Sequence, residues 1–184
     1  MSPKDWEFSP TDEPIDQVTN IDRSHFKTHQ GKMFIASHVV ENVEPAAAND
    51  FYIKTGASTP HIGLEIGASG NSLVEFFTDA TASSNGTTLS TFNLNCLSGN
   101  VALTTFFHAP TLVTTGTQVL TRYIHGTSGG PAGNPVIGGG TTGGPSGRAV
   151  ETILCANTNY LVRVTNQTAV TIAAADFSAG FYEG

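Results

Sequence analysis

The chain has 184 residues, a net charge of −7 at pH 7, and only 12% Asp, Glu, Lys and Arg. This length predicts one domain, and the acidic balance excludes a general electrostatic attraction to nucleic acid or to acidic membranes. So few charges also argue against a helical bundle, whose outer faces are normally charged. Because no long apolar run and no signal-peptide pattern is present, we expect a chain that is made in a reducing cytosol and has no membrane partner.

Residues 1–32 are predicted to form an extended N-terminal arm. The first 22 residues carry six acidic side chains, three prolines and a single lysine, with no sustained apolar period. Such a segment cannot pack a core of its own. Its spaced apolar side chains are unusual for a solvated tail, so two alternatives stay open: a disordered terminus, and an arm that orders on a neighbouring surface. The apolar side chains are Trp6, Phe8, Ile15, Ile21 and Phe26.

Residues 33–184 are predicted to form one domain of β-strands. The predicted strands are short β-prone or alternating runs at 33–36, 51–54, 62–66, 73–77, 92–96, 101–107, 119–124, 150–154, 160–164, 170–172 and 181–182. Strands of about five residues at intervals of about 8–12, without a convincing helical period, are typical of sandwiches and barrels. The sequence therefore predicts an all-β fold.

Alternation within the middle of the chain predicts which side chains are buried. Phe92, Leu94 and Cys96 share one face of a predicted strand, and the run 101–107 repeats the pattern. Both cysteines, Cys96 and Cys155, lie in such apolar runs. We expect buried free thiols, while a disulfide between them stays possible.

A glycine-rich loop is predicted at 126–147. This stretch has ten glycines and three prolines in 22 residues, without the strict third-position glycine of collagen. Loops of this length in compact domains are usually functional or mobile. A binding loop and a flexible hairpin tip are both compatible with the composition.

The segment 126–131, Gly-Thr-Ser-Gly-Gly-Pro, resembles the nucleophile segment of trypsin-like proteases. The chain order His38, Asp79, Ser128 also matches that family's triad. However, a hydrolase elbow needs a helix directly after its serine, and a trypsin-like site needs a strand pair there. Only a glycine tract follows, so we predict no catalytic residue. A hydrolase that uses Ser128 or a pair of carboxylates remains an alternative.

Other motifs are weaker. Gly138, Gly140 and Gly143 match the spacing of a dinucleotide fingerprint, but no βαβ unit surrounds them. His25 and His29 have helical spacing, but no third ligand follows at the spacing of a metal site. Basic residues are too few and too scattered for a nucleic-acid surface. We therefore predict no cofactor, no metal and no nucleic-acid partner.

Several segments in one order carry a family resemblance. They include Ser-His-Val-Val-Glu-Asn-Val at 37–43, Ala-Ala-Ala-Asn-Asp-Phe-Tyr-Ile-Lys-Thr-Gly at 46–56 and Pro-His-Ile-Gly-Leu-Glu-Ile at 60–66. Phe-His-Ala-Pro-Thr at 107–111, Asn-Tyr-Leu-Val-Arg-Val-Thr-Asn at 159–166 and Phe-Tyr-Glu at 181–183 complete the set. Over residues 33–184 the chain resembles small virion structural proteins of tailed bacteriophages, usually described as head decoration or head-fibre proteins.

The resemblance implies an antiparallel β-sandwich of jelly-roll type. It also implies a non-enzymatic role as a decoration (cement) protein on the outer capsid surface, reached after synthesis in the host cytoplasm. The implied partners are the major capsid protein and further copies of the chain, commonly as a homotrimer. A receptor- or carbohydrate-binding jelly-roll module of a phage fibre is the alternative. The candidate capsid contacts are the arm's side chains, Trp6, Phe8, Ile15, Ile21 and Phe26.

Overall fold

The computed structural model describes residues 23–125, 136–137 and 152–183. Four of the candidate capsid contacts (Trp6, Phe8, Ile15 and Ile21) lie outside these residues, as does the predicted glycine-rich loop except for 136–137. The described part of the chain contains one short helix and fourteen strands, and every strand pairing is antiparallel. The all-β prediction is therefore confirmed.

The elements follow one another closely along the chain. The helix α1 is Arg23–His29, and the first strands are β1 Met33–Val43, β2 Ala48–Lys54, β3 His61–Ala68, β4 Ser72–Thr78, β5 Thr81–Ser84, β6 Thr87–Thr88 and β7 Thr91–Asn93. The later strands are β8 Thr105–His108, β9 Thr111–Thr114, β10 Thr117–Ile124, β11 Val136–Ile137, β12 Thr152–Ile153, β13 Asn159–Asn166 and β14 Ile172–Tyr182.

The strands form two six-stranded sheets and a two-stranded ribbon. The first sheet has the order β11-β3-β14-β1-β7, and β12 also pairs with β3. The second has the order β10-β4-β13-β2-β8-β6, and the ribbon pairs β5 with β9. The long strands β1 and β14 pair from Met33 opposite Tyr182 to Val43 opposite Ile172, and this is the longest strand pairing of the first sheet.

The core lies between the two sheets because alternate side chains of each sheet face the other. Phe51 of the second sheet stacks on Phe177 of the first with ring centroids 4.6 Å apart. Phe106 and Phe181 make a similar contact at 5.1 Å. All four rings are buried, and each contributes roughly 1.5–3 kcal/mol relative to an exposed ring.

A second, smaller cluster covers the outer face of the second sheet. Tyr52, Phe77 and Leu161 share one row across β2, β4 and β13 and are buried, together with Ala80, beside the β5–β9 ribbon. The Tyr52 hydroxyl donates a hydrogen bond to the Ala80 carbonyl oxygen at 3.2 Å. Burial raises the pKa of the Tyr52 phenol. The ribbon thus gives this side of the molecule a third layer.

The helix α1 corrects the prediction of an extended arm at residues 23–29 only, because residues 1–22 of the predicted arm lie outside the described structure. Its last turn carries Lys27 and His29, which interact favourably with the partial negative charge at a helix C-terminus. Gly31 ends the helix with a φ of 67°. The backbone N–H of Lys32 donates to the Lys27 carbonyl and that of Gly31 to the Thr28 carbonyl, both at 2.9 Å. These bonds form a glycine-terminated helix cap.

Candidate interaction surface

The last residue of β7 and the loop that follows it, residues 93–104 together, turn polar side chains toward the protein. The side-chain amides of Asn93 and Asn100 both donate to the Gly31 carbonyl oxygen, at 2.8 and 3.1 Å. Asn95 donates to the carbonyl oxygen of His29 at 3.2 Å. Three asparagines therefore bind the loop to the backbone that ends α1.

The same loop is also fixed by its own side chains. Asn93 Oδ1 accepts from the backbone N–H of Asn95 at 2.9 Å, and Asn95 Oδ1 accepts from that of Leu97 at 3.1 Å. Ser98 Oγ accepts from the N–H of Asn100 at 3.2 Å. These are local side-chain turns that replace strand pairing, so the loop holds one conformation without a sheet neighbour.

Glu183 holds the far end of the loop. Its two carboxylate oxygens accept hydrogen bonds from the backbone N–H groups of Leu103 and Thr104, both at 2.7 Å. The Glu183 side chain is buried, and its own N–H bonds the Lys32 carbonyl. Bonds between a carboxylate and backbone N–H groups are among the stronger hydrogen bonds in proteins, so this contact fixes the loop to the end of β14.

The apolar side chains of this region face solvent. Leu97 is 93% exposed and Val101 is 83% exposed. We call the exposed set the apolar loop surface, and its members are Phe92, Leu94, Leu97, Val101 and Leu103. A rigid loop with its polar groups inside and its apolar groups outside is the reverse of an ordinary surface loop, and such patches mark interaction sites.

The sequence prediction for this region was wrong. The structure has a strand only at Thr91–Asn93 and again at Thr105–His108, and the predicted buried face of Phe92, Leu94 and Cys96 is exposed. Asn and Leu alternate here as they would in a half-buried strand. The asparagines instead bond the backbone locally and at α1, and this competes with a sheet ladder.

Both thiols are exposed and free, which corrects the prediction that they are buried. Cys96 lies within the loop itself. Cys155 lies after β12, where its backbone N–H donates to the Tyr160 hydroxyl at 2.8 Å. The apolar runs around both cysteines end in turns, so neither side chain reaches the core.

The surroundings of the apolar loop surface carry no formal charge in the sequence. No Lys, Arg, Asp or Glu occurs from residue 80 to residue 121. The segments to which the loop is hydrogen-bonded carry two basic residues, Lys27 and Lys32. The ammonium group of Lys27 lies 5.6 Å from the centroid of the Tyr182 ring. Depletion of charge is a property of the cores of stable protein–protein interfaces.

Two histidines lie where the sheets meet. The rings of His38 on β1 and His108 on β8 are 4.5 Å apart, and His108 also packs on Phe51 at 5.3 Å. Burial lowers the pKa of His108, the nearby His38 lowers it further, and Asp50 opposes both. Both histidines therefore make ring contacts with each other and with Phe51 of the core.

The His25–His29 pair is on α1. Their Nε2 atoms are 3.0 Å apart, which fits a hydrogen bond between the two rings. Among the residues that the structure describes, no group of three or more His, Cys, Asp or Glu side chains is placed to hold a metal ion.

Of the residues in the protease-like motif, the structure describes His38 and Asp79. Asp79 is exposed, and its carboxylate accepts a hydrogen bond from the Thr78 hydroxyl at 3.3 Å. The ring contacts of His38 are with His108 and Phe51. Ser128 lies outside the described residues. Among the candidate carboxylates, Asp176 is half-buried against Gly67, and burial raises its pKa.

The described part of the arm adds one feature to this end of the molecule. Phe26, a candidate capsid contact, is about half exposed on α1.

In comparisons with known proteins, no family model, curated protein or solved structure matches the chain. In the described ranges, no helix has the length and apolar character needed to cross a membrane.

Proposed function

We propose that the chain is a non-enzymatic virion structural protein. It binds the outer surface of a tailed-phage capsid as a decoration protein and does so as a homotrimer. The observation that carries the proposal is the apolar loop surface, which is rigid, free of charge and exposed. A surface of this kind serves permanent docking, since a preformed interface loses little conformational entropy on binding.

The arm and the apolar loop surface lie at one end of the molecule in this proposal. The loop is bonded to the carbonyl groups of His29 and Gly31, directly after the helix into which the arm leads. Aromatic anchors such as Trp6 and Phe8 would then contact grooves between capsid subunits, where buried aromatic side chains contribute most to binding. Repetition over three copies strengthens a weak single contact.

We propose jelly-roll topology for the sandwich, and the strand pairings support it. In the first sheet β14 lies between β1 and β3, and the other edge of β3 pairs with β11 and β12. In the second sheet β13 lies between β2 and β4, and β4 is followed by β10. In both sheets, long strands from early in the chain therefore pair with long strands from late in the chain, which is the pattern of interlocked Greek keys.

Capsids produced without this chain provide the test. The full chain should sediment with such capsids, and its native mass by light scattering should be three times 19.2 kDa. A variant that lacks residues 1–22 should bind markedly less. A chain that does not bind these capsids would overturn the assignment, and a monomeric mass would overturn the trimer.

Absence of catalysis is part of the proposal. A fluorophosphonate label applied to the intact protein should leave Ser128 unmodified. Stoichiometric labelling of this serine would instead support the hydrolase alternative.

A carbohydrate-binding role is the second candidate, and one observation favours it. Tyr123 on the edge strand β10 is exposed and packs against His125 with ring centroids 6.4 Å apart. Exposed aromatic faces are suited to stacking on sugar rings. Specific binding on a glycan array that is lost in Tyr123→Ala would favour this role over decoration.

A further inference from the structure

We propose that His25 and His29 of α1 form a binding site for a divalent transition-metal ion such as Zn²⁺ or Ni²⁺. The two imidazoles supply two of the ligands, and water molecules supply the others. The bound ion joins two consecutive turns of the helix. This inference goes beyond the proposed function, because the site requires neither a capsid nor a second copy of the chain.

The first argument is the distance between the two ring nitrogens. The Nε2 atoms of His25 and His29 are 3.0 Å apart. Two ligands of one ion, with bonds of about 2.1 Å and an angle of about 90–110° between them, are about 3.0–3.4 Å apart. The pair therefore has the separation of two neighbouring ligands, and small rotations of the rings direct both lone pairs at one ion.

The second argument is that the backbone holds both rings on one side of the helix. Residues four apart lie on the same helix face, and histidine pairs at this spacing hold zinc in other proteins. Asn95 donates to the His29 carbonyl oxygen at 3.2 Å, and the bond from the Gly31 N–H helps to close the helix end. Ligands on a backbone that is already fixed lose less entropy when an ion binds.

The third argument is that the pair is accessible and lies where positive charge is favourable. Both imidazoles are exposed, so water can complete the coordination of the ion. His29 lies in the last turn of α1, where the partial negative charge of the helix C-terminus favours a cation. Lys27 lies two residues from each histidine and therefore on another face. Its ammonium group is placed over the Tyr182 ring, 5.6 Å from the centroid.

Coordination replaces the hydrogen bond between the two rings. In a pair of neutral imidazoles, one Nε2 donates its proton to the other. When the ion binds, the donor ring carries its proton on Nδ1 instead, and both Nε2 lone pairs bind the metal. Both rings stay neutral, as metal ligation by histidine requires. Imidazole suits Zn²⁺, Ni²⁺ and Cu²⁺, whereas Mg²⁺ prefers oxygen ligands, so the site should bind Ni²⁺ and not Mg²⁺.

Calorimetric titration of the full chain with NiCl₂ tests the site. His25→Gln should bind Ni²⁺ roughly tenfold more weakly than the wild type, because a single imidazole lacks the gain from a second linked ligand. The matched control is the double variant His29→Gln with Gln30→His, which exchanges two neighbouring residues and keeps the composition. Its second imidazole lies five residues from the first, on another helix face, so it should bind as weakly as His25→Gln.

Hydrogen exchange of the backbone amides of α1, measured by mass spectrometry, gives a second readout. A seven-residue helix is marginal by itself, and an ion that joins positions 25 and 29 stabilises it. With free Ni²⁺ at ten times its Kd, exchange should slow roughly tenfold in the wild type. The exchanged variant should not respond, and Mg²⁺ should have no effect on either protein.

Equal Ni²⁺ affinity of the wild type and the exchanged variant would overturn the site, because both proteins keep every other histidine and both cysteines. Unchanged exchange of the α1 amides in the wild type would overturn it as well. Neither result concerns capsid binding.

Discussion

The carboxylate of Glu183 and the backbone N–H of Thr104 are joined by a 2.7 Å hydrogen bond across 79 residues of sequence. The neighbouring N–H, that of Leu103, bonds the second carboxylate oxygen. One buried side chain at the end of β14 thereby fixes the loop that carries the apolar loop surface.

Replacing Glu183 by Gln should destabilise the protein. The amide keeps one oxygen acceptor and presents an NH₂ group to the second backbone donor, so a buried N–H is left unbonded at a cost of about 2 kcal/mol. Urea unfolding monitors the change. Glu65→Gln, an exposed position on β3, is the control and should stay within about 0.5 kcal/mol of the wild type. Equal midpoints for Glu183→Gln and the wild type would show that the loop does not depend on this carboxylate.

The turn between β9 and β10 depends on glycine at position 116. Gly116 has a φ of 82°, and an added Cβ would lie 2.1 Å from the Thr78 carbonyl oxygen. Gly116→Ala should therefore cost roughly 2 kcal/mol or more, since backbone strain and a clash with backbone add together. Thermal unfolding measures the loss. Gly99→Ala is the matched control because nothing lies within 4 Å of an added Cβ there, and a comparable loss in both variants would refute the steric argument.

Stability should fall as the pH is lowered through the range in which His108 titrates. Burial and His38 lower the pKa of His108 in the folded protein, so the unfolded chain binds a proton at a higher pH than the folded one. The stabilisation is fully present above the unfolded pKa of about 6.5 and decreases below it. His108→Phe keeps a ring against Phe51 and should lose less stability between pH 8 and pH 5 than the wild type, as measured by urea midpoints. The same loss in both proteins would contradict the prediction.

The apolar loop surface should matter for capsid binding and not for folding. Leu97→Ser with Val101→Ser removes apolar area that is already exposed, so the free energy of unfolding should change by less than about 0.5 kcal/mol. Binding to undecorated capsids, followed by sedimentation, should fall roughly tenfold, which is equivalent to about 1.4 kcal/mol. A double variant at the exposed positions Val39 and Val170, each replaced by Ser, should bind like the wild type. Undiminished binding of the loop variant would separate this surface from the capsid contact.

The sequence predicted the strands well where alternation and burial agree. In β13 the alternate residues Tyr160, Val162 and Val164 are buried in the core as expected. In the 93–104 loop, alternation is equally clear, but the conformation is decided by acceptors far away in the chain, at Gly31 and Glu183. A single sequence does not reveal such distant partners. The missed signal was the recurrence of asparagine at short intervals in a region without charge.

The helix α1 was missed for a related reason. Seven residues give too weak a periodic signal, and the helix ends where Gly31 adopts a positive φ and closes the cap. The covering ribbon also could not be foreseen. Its strands are only four residues each, and they bury Phe77 and Leu161 on a face of the second sheet that a two-layer sandwich would leave open to solvent.

The pairing of β14 between β1 and β3 has a consequence for synthesis on the ribosome. The strand that occupies the centre of the first sheet, and the glutamate that follows it, emerge long after the loop they support. Until then, β1 and β3 lack their common neighbour, and the nascent chain cannot assemble its first sheet. The end of the molecule that carries the apolar loop surface therefore folds last, and an incompletely translated chain would not form this surface.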